Sequence, residues 1–324
     1  MQDQFGRTID YMRISVTDRC NLRCVYCMPK QGVESIPHNE ILSYEDIIRV
    51  VRAAATLGIE KIKITGGEPL VRKGVASLVR MIKDIPGIRA VTMTTNGVLF
   101  SKYAEELAKA GLDGVNVSLD TLNRQSYEAL TLFDALENVM EGIHMALRLG
   151  LKTKLNCVPM QTQSSVDRVN IAALARDNPL DVRFIEMMPI GLGRDYESVS
   201  NDGILKELTQ AYGQPVCSKG SHGSGPAVYY DFQGFQGSIG LISALSHAFC
   251  GSCNRIRLTA DGELKPCLCY HEGLALKPLL RSGIHENSLA SVMAGVIEGK
   301  PQQHQFGHMK NGAEETRKMV QIGG

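Results

Sequence analysis

Three thiols set four and three residues apart, Cys20, Cys24 and Cys27, carry the clearest chemical signal in the chain. Thiolates are the usual ligands of iron–sulfur clusters, and a cubane [4Fe–4S] cluster presents four irons. Three protein thiolates therefore leave one iron open to an outside ligand, which makes the cluster a place for chemistry as well as for electron storage. Zinc knuckles and buried structural thiols also use cysteine. Zinc prefers two Cys-x-x-Cys pairs or added histidines, and no histidine precedes His38. Tyr26 stands beside the last of the three.

A second group follows near the other end: Cys250-x-x-Cys253, then thirteen residues, then Cys267. Spacing alone admits a zinc ribbon, with Cys269 as a fourth thiolate on the same strand face. It also admits a second iron–sulfur cluster. Arg255 and Arg257 follow the second cysteine directly, and cations at the mouth suit an anionic substrate rather than a structural zinc. Cys157 and Cys217 match neither group and read as structural thiols.

Short apolar runs alternate with amphipathic stretches and position these groups. The strand candidates are MRISVT (12–17), KIKIT (61–65), AVTMTT (90–95), GVNVSL (114–119), KTKLNCV (152–158) and VRFIEMM (182–188). They are rich in β-branched and apolar residues, as buried parallel strands are. Ser43-x-x-Asp46 starts a helix that Gly58 closes, and Asp134-x-x-Glu137 starts another that Gly150 ends. Six strand–helix units fall short of the eight of a closed barrel. The expectation is an α/β fold, an open (βα)6 partial barrel over 1–190, with an extension over 191–324 that includes a hairpin in YYDFQGFQGSIGLIS.

In such folds chemistry gathers on the loops at the C-terminal ends of the strands. The first cysteine loop follows MRISVT, and Gly66-Gly67-Glu68-Pro69 follows KIKIT, where a backbone free of side chains can approach a ligand closely. Thr94, Asn96, Ser118 and Asp120 lie at the same rim. Thr94 and Ser118 read as binding groups, whereas Asn96 and Asp120 suit binding or ordinary turn chemistry equally. Arg13, Lys63, Lys154 and Arg183 interrupt strands that otherwise read as buried. A buried cation is costly unless paired or facing a ligand; the alternative is a side chain that snorkels to a strand edge.

Composition narrows the field. A net charge of +1 over 324 residues gives no global attraction to nucleic acid. No apolar run reaches 18 residues and the start, MQDQFGRTID, is polar, which leads us to expect no membrane span and no leader. Nine cysteines, an odd number, argue against a disulfide framework and for a reducing cytoplasm.

The arrangement Cys-x-x-x-Cys-x-Tyr-Cys followed by Gly-Gly-Glu resembles the radical S-adenosylmethionine (SAM) enzymes. The segments DRCNLRCVYCMP, ITGGEPL, RFIEMMPIG, GPAVYY, FCGSCNRIRLTADGELKPCL and the terminal IGG narrow the resemblance to the GTP 3′,8-cyclase family of molybdenum-cofactor biosynthesis, over about Phe5 to Gly324. The resemblance implies two [4Fe–4S] clusters, on Cys20, Cys24 and Cys27 and on Cys250, Cys253 and Cys267. SAM would bind through Tyr26, Gly66, Gly67, Glu68, Ser118 and Met188. GTP would lie on Arg13, Lys63, Thr94, Lys154, Arg183, Arg255 and Arg257, with its guanine on the second cluster. Arg13 and the tail residues Gly323 and Gly324 would assist catalysis.

The implied reaction is reductive cleavage of SAM to a 5′-deoxyadenosyl radical, abstraction of the ribose C3′ hydrogen, and closure of C3′ onto C8 of guanine. Implied partners are an electron donor such as flavodoxin or ferredoxin, a downstream cyclic pyranopterin monophosphate synthase, and a second copy in a homodimer. Three positions depart from the family: Lys63 replaces the usual Arg, the loop TLFDAL is short, and Cys269 stands where an aromatic residue is common, so it could close the open iron or recruit zinc. A peptide-modifying radical SAM enzyme and an iron–sulfur sensor without catalysis are the rival readings.

Overall fold

Residues 1–306 and 315–323 are described by a computed structural model of the chain. Six parallel strands form its centre: β1 (Tyr11–Ser15), β2 (Lys61–Thr65), β3 (Ala90–Thr95), β4 (Gly114–Ser118), β5 (Lys152–Cys157) and β6 (Asp181–Ile185). Parallel neighbours need crossovers, and the chain supplies α1 (Tyr44–Thr56), α2 (Val75–Lys83), α3 (Phe100–Lys109), α4 (Arg124–Thr131), α5 (Leu136–Arg148) and α6 (Ser165–Asp177). Each strand pairs with the next in sequence order, from β1 to β6. Ile14, Ile64, Val91, Val117, Leu155 and Phe184 are fully buried between the sheet and this helical layer.

The expected partial barrel and its crossovers are present, and the ends differ in instructive ways. Four expected strands run on past the observed ends: β1 stops at Ser15, β4 at Ser118, β5 at Cys157 and β6 at Ile185. The apolar residues that follow continue into rim loops. Ser43 caps α1 as expected, its hydroxyl accepting from the Asp46 amide at 3.0 Å. Asp134, in contrast, does not start α5, which begins at Leu136 with no side-chain cap. The Asp134 carboxylate is engaged instead by Arg124, whose Nη2 donates at 2.5 Å.

The chain continues with α7 (Asn201–Tyr212), β7 (Val216–Cys217), β8 (Val228–Asp231), β9 (Ile239–Ile242), β10 (Arg255–Leu258), β11 (Glu263–Lys265), β12 (Leu274–Ala275), α8 (Lys277–Arg281), α9 (Glu286–Glu298) and α10 (Met319–Ile322). The expected hairpin is β8–β9, which is antiparallel. The later strands extend the barrel sheet at both sides: β10 lies parallel to β1, and β9 lies parallel to β6. Cys267 and Cys269 fall after β11 ends at Lys265, so they share a loop and not a strand face. Among the described residues no helix is long and apolar enough to cross a membrane.

Candidate functional site

The first cysteine loop and the Gly-Gly loop are built against each other. The Gly67 amide donates to the Thr17 carbonyl at 2.7 Å, and the Glu68 amide to the Arg19 carbonyl at 2.8 Å. A Cβ on Gly66 would lie 2.7 Å from the Thr17 oxygen, and one on Gly67 only 2.4 Å from the Arg19 oxygen. Two glycines are thus required before any ligand is considered. Glu68 is fully buried. Its carboxylate accepts from the Thr95 hydroxyl at 2.8 Å, the Asn96 amide at 2.7 Å and the Leu70 amide at 3.0 Å. Burial pushes its pKa up to about 7. The carboxylate therefore ties the rim of β3 to that of β2 and is not itself on the cavity wall.

Cys20, Cys24 and Cys27 converge on a cavity of about 320 Å³. Burial pushes all three thiols up, Cys27 to about 12 with Cys20 adding to the effect. Thiols so placed do not ionise together unless a cation sits among them. The Leu22 amide donates to Cys20 Sγ at 3.4 Å, and Asn96 Nδ2 reaches the same sulfur at 3.7 Å. Sulfur-directed donors of this kind accompany cluster thiolates and tune them. Tyr26 donates its hydroxyl to Asp120 at 2.7 Å, and Asp120 also accepts from the Val158 amide at 2.8 Å. Asn96 accepts from the Val98 amide at 3.1 Å. Asn96 and Asp120 thus do turn-holding work and line the cavity as well.

Cys250, Cys253 and Cys267 line the same cavity, together with Arg13, Arg255 and Arg257. Burial raises the Cys253 thiol, but Lys300 and Arg255 outweigh that and bring it down to about 7. Among the described residues no group of His, Cys, Asp and Glu is gathered around a single ion. Cys269 is buried and lines the cavity.

The strand cations are set by register. Arg13 pairs with Lys63 on one side and with Arg257 on the other. Burial and the charges of Arg183, Arg13, Lys154 and Arg255 hold Lys63 well below its ordinary value; burial, then Arg13 and Arg255, does the same to Arg257. So much positive charge in a dry interior calls for an anion. Arg183 Nε is buried without a hydrogen-bond partner, as is the Thr94 hydroxyl. Lys154 has a carboxylate partner, Asp181 at 2.9 Å, and donates to the Tyr229 hydroxyl at 2.9 Å. Thr94, Ser118, Met188, Gly66 and Gly67 are on the cavity wall, whereas Lys63, Lys154 and Arg183 are not.

The C-terminal segment enters from the extension. Glu315 is buried against Lys265 and accepts from Arg317 Nη2 at 2.9 Å, while Arg317 also pairs with Glu263 at 2.7 Å. From this anchor the chain runs through α10 to Gly323, whose carbonyl accepts from Arg257 Nη1 at 3.0 Å. Gly323 has φ +75° and a Cβ there would lie 2.9 Å from Ser15 Cβ. Only glycine fits both demands. Gly324 lies outside the described residues.

Glu186, Lys300 and His304 also line the cavity and were not singled out in the sequence. Glu186 sits one residue past β6 in the quoted segment RFIEMMPIG, where a carboxylate at the end of a buried strand was a usable signal. Lys300 and His304 follow α9 in a stretch that reads as an ordinary helix terminus.

Comparison with known proteins agrees with this geometry. The radical SAM superfamily profile matches residues 14–175, and the Molybdenum Cofactor Synthesis C profile matches residues 180–306. Curated relatives called GTP 3′,8-cyclase align along the full length of both chains: the one from Desulforamulus reducens is 45% identical, that from Pelotomaculum thermopropionicum 46% and that from Clostridium perfringens 41%. Among solved structures, Streptococcus suis SuiB bound to S-adenosylmethionine superposes with a TM-score of 0.60 at 15% identity, covering 97% of this chain and 75% of that one. The hydrogenase maturase HydG gives 0.52 at 16% identity, covering 64% and 50%. These two show the fold alone.

Proposed function

The chain belongs to the GTP 3′,8-cyclase family of radical SAM enzymes, and on that premise we propose that one cavity holds SAM at its barrel end and GTP at its extension end. The observation that carries this is the meeting of two cysteine trios and three arginines on the wall of a single cavity. The product is the 3′,8-cyclised dihydro-GTP of molybdenum-cofactor biosynthesis.

Cys20, Cys24 and Cys27 hold the first [4Fe–4S] cluster and Cys250, Cys253 and Cys267 the second. When bound, the reduced first cluster and SAM supply hydrogen-atom abstraction, which starts closure of C3′ onto C8. The protein's own contribution is placement. Gly66, Gly67 and Ser118 offer backbone and hydroxyl groups to SAM, with Tyr26 and Met188 on the same wall and Glu68 locking the rim behind them. Arg13, Arg255 and Arg257 on the wall, backed by the charges of Lys63 and Arg183 off it, take the triphosphate, about four negative charges, where forked guanidinium groups suit phosphate best. Lys154 joins them by releasing Asp181, and Thr94 meets the ribose. Gly323 brings the tail against Arg257, and Arg13 and the tail residues Gly323 and Gly324 assist catalysis at C3′.

The division of labour falls near residue 190, with residues 1–190 as the barrel and 191–324 as the substrate-bearing extension. An electron donor such as flavodoxin or ferredoxin reduces the first cluster in the cytoplasm, and a cyclic pyranopterin monophosphate synthase takes the product. The test is anaerobic: reconstituted chain, SAM and a strong reductant, with 5′-deoxyadenosine measured with and without GTP. GTP-stimulated formation together with a cyclised nucleotide is the expected result. SAM cleavage indifferent to GTP would sink the substrate assignment and leave the barrel assignment standing.

A further inference from the structure

The N-terminal segment before β1 has no part in the chemistry described so far, yet it holds a guanidinium whose donors are all used. Arg7 is buried, and every N–H of its guanidinium is directed to an oxygen. Nε donates to Asp3 at 2.6 Å, Nη1 to the carbonyls of Cys250 and Gln302 at 2.8 Å each, and Nη2 to those of Pro301 and Lys300 at 2.7 and 3.4 Å. Asp3 is fixed in turn, its other oxygen accepting from the Phe5 and Arg7 amides at 3.0 Å. The fork thus fastens the backbone of Cys250 to the segment that begins at Lys300.

That segment completes the work. Lys300 is buried and donates its ammonium to the carbonyl of Arg255 at 2.9 Å and to that of Pro266. Arg255 lies two residues beyond Cys253, and Pro266 directly precedes Cys267. The His304 amide donates to Cys250 Sγ at 3.4 Å. Each of the three cysteines therefore sits within two residues of a contact made by Arg7 or by the short segment Arg7 fixes. Both of these partners of Lys300 are carbonyls, not carboxylates, so it brings an ammonium charge to the loops that carry the thiols.

We propose that Arg7 and Lys300 are positioning residues for the second iron–sulfur site: Arg7 presets the Cys250 backbone, and Lys300 joins the Cys253 and Cys267 limbs while balancing thiolate charge. This rests on the reading that Cys250, Cys253 and Cys267 hold the second cluster. Outer partners of metal ligands commonly govern affinity about 10–100-fold, and only a guanidinium can serve acceptors on both edges of one plane.

The test uses the full chain, reconstituted anaerobically, as wild type, Arg7→Met, Arg7→Lys and Lys300→Met. Iron and sulfide per chain are measured. The paramagnetic signals are sorted by whether SAM or GTP perturbs them, and 5′-deoxyadenosine formed without GTP reports on the first cluster. Arg7→Met is expected to lose about half its iron, since one of two cubanes leaves, and with it the GTP-responsive signal. The SAM-responsive signal and GTP-independent SAM cleavage should stay. Arg7→Lys recovers part of the second signal. Lys300→Met shifts the second cluster to a more negative midpoint potential, because a cation favours the reduced form. Full iron and an unshifted GTP-responsive signal in Arg7→Met would overturn the proposal. So would loss of both signals together, since the proposal assigns Arg7 to one site only. A wild-type chain holding a single SAM-responsive cubane would instead fail the second-cluster reading itself.

Discussion

At Cys20 and Cys24 burial raises the thiols, and the charges that add to it are Glu68 at the first and Cys27, then Asp120, at the second. At Cys253 burial is outweighed by Lys300 and Arg255, which pull the thiol down to about 7, whereas Cys250 stays raised by burial with Lys300 opposing it. Cys20 and Cys24 thus have carboxylates among their neighbours, whereas Cys253 stands in a basic field. An acidic, dry surround suits a cluster whose outside ligand brings its own cation, as the sulfonium and ammonium of SAM do. A basic surround suits a cluster that shares its cavity with a polyanion. The contrast teaches that ligand type identifies the metal group, while the surrounding charge identifies what the group meets.

Removing one thiolate from each trio should break the symmetry most sharply. Cys24→Ala is expected to reduce 5′-deoxyadenosine to background with or without GTP. Cys253→Ala should keep GTP-independent SAM cleavage and lose the cyclised product entirely. Equal loss in both variants, read by chromatography of the two products, would erase the distinction.

The next effect concerns the polyanion. Arg257→Ala removes a charged donor from the cavity wall and should lower kcat/KM for GTP about 10–100-fold, the range of one charge-assisted hydrogen bond. SAM affinity should stay unchanged. Arg257→Lys should recover only part of the loss. A fall in SAM affinity of the same size would mean that the cations serve both ends of the cavity.

A smaller effect is a proton. Burial and four neighbouring cations hold Lys63 well below its ordinary value of 10.5, and a bound triphosphate offsets those charges and raises it again. The complex then holds more protons than the free enzyme, so between the two values GTP affinity falls as pH rises, with uptake of up to about one proton. Calorimetric titration in buffers of different ionisation enthalpy reads this directly. The uptake should vanish in Lys63→Met, and proton release in the wild type would reverse the electrostatic account.

The smallest effect is a control far from both trios. Ser43→Ala removes the cap of α1 and should cost about 1 kcal/mol in denaturant unfolding, with iron content and both activities retained. A loss of either cluster would show that the outer helical layer is coupled to the cavity.

Much of this was legible in residue order. The barrel strands announce themselves through β-branched runs, and the cysteine trios through spacing, because both patterns are local. The cap at Ser43 is local too. Asp134 shows the limit: its capping pattern is genuine, yet Arg124, ten residues earlier, takes the carboxylate, and nothing in the window around Asp134 records that competition. Cys269 was read with Cys267 on one strand because alternation continues past Lys265; pairing of β11 with β10 ends there instead. Lys300 and Arg7 escape any local reading, since each works through carbonyls, and every residue has a carbonyl. The need for glycine at 66 and 67 was legible, but its cause, the packing of one rim loop on the other, was not.

The placement of the later strands has a consequence for how the chain comes to be folded. β10 covers the free side of β1 and β9 the free side of β6, so the sheet of the first 190 residues has no finished edge of its own. During synthesis these two strands emerge after the whole barrel, and until then β1 and β6 expose unpaired amides and carbonyls of the kind that recruit other chains. One closing event therefore seals the sheet, delivers Arg255 and Arg257 beside Arg13, and brings the second trio to face the first. A nascent chain halted before Ile239 would be an aggregation hazard rather than a half-working enzyme.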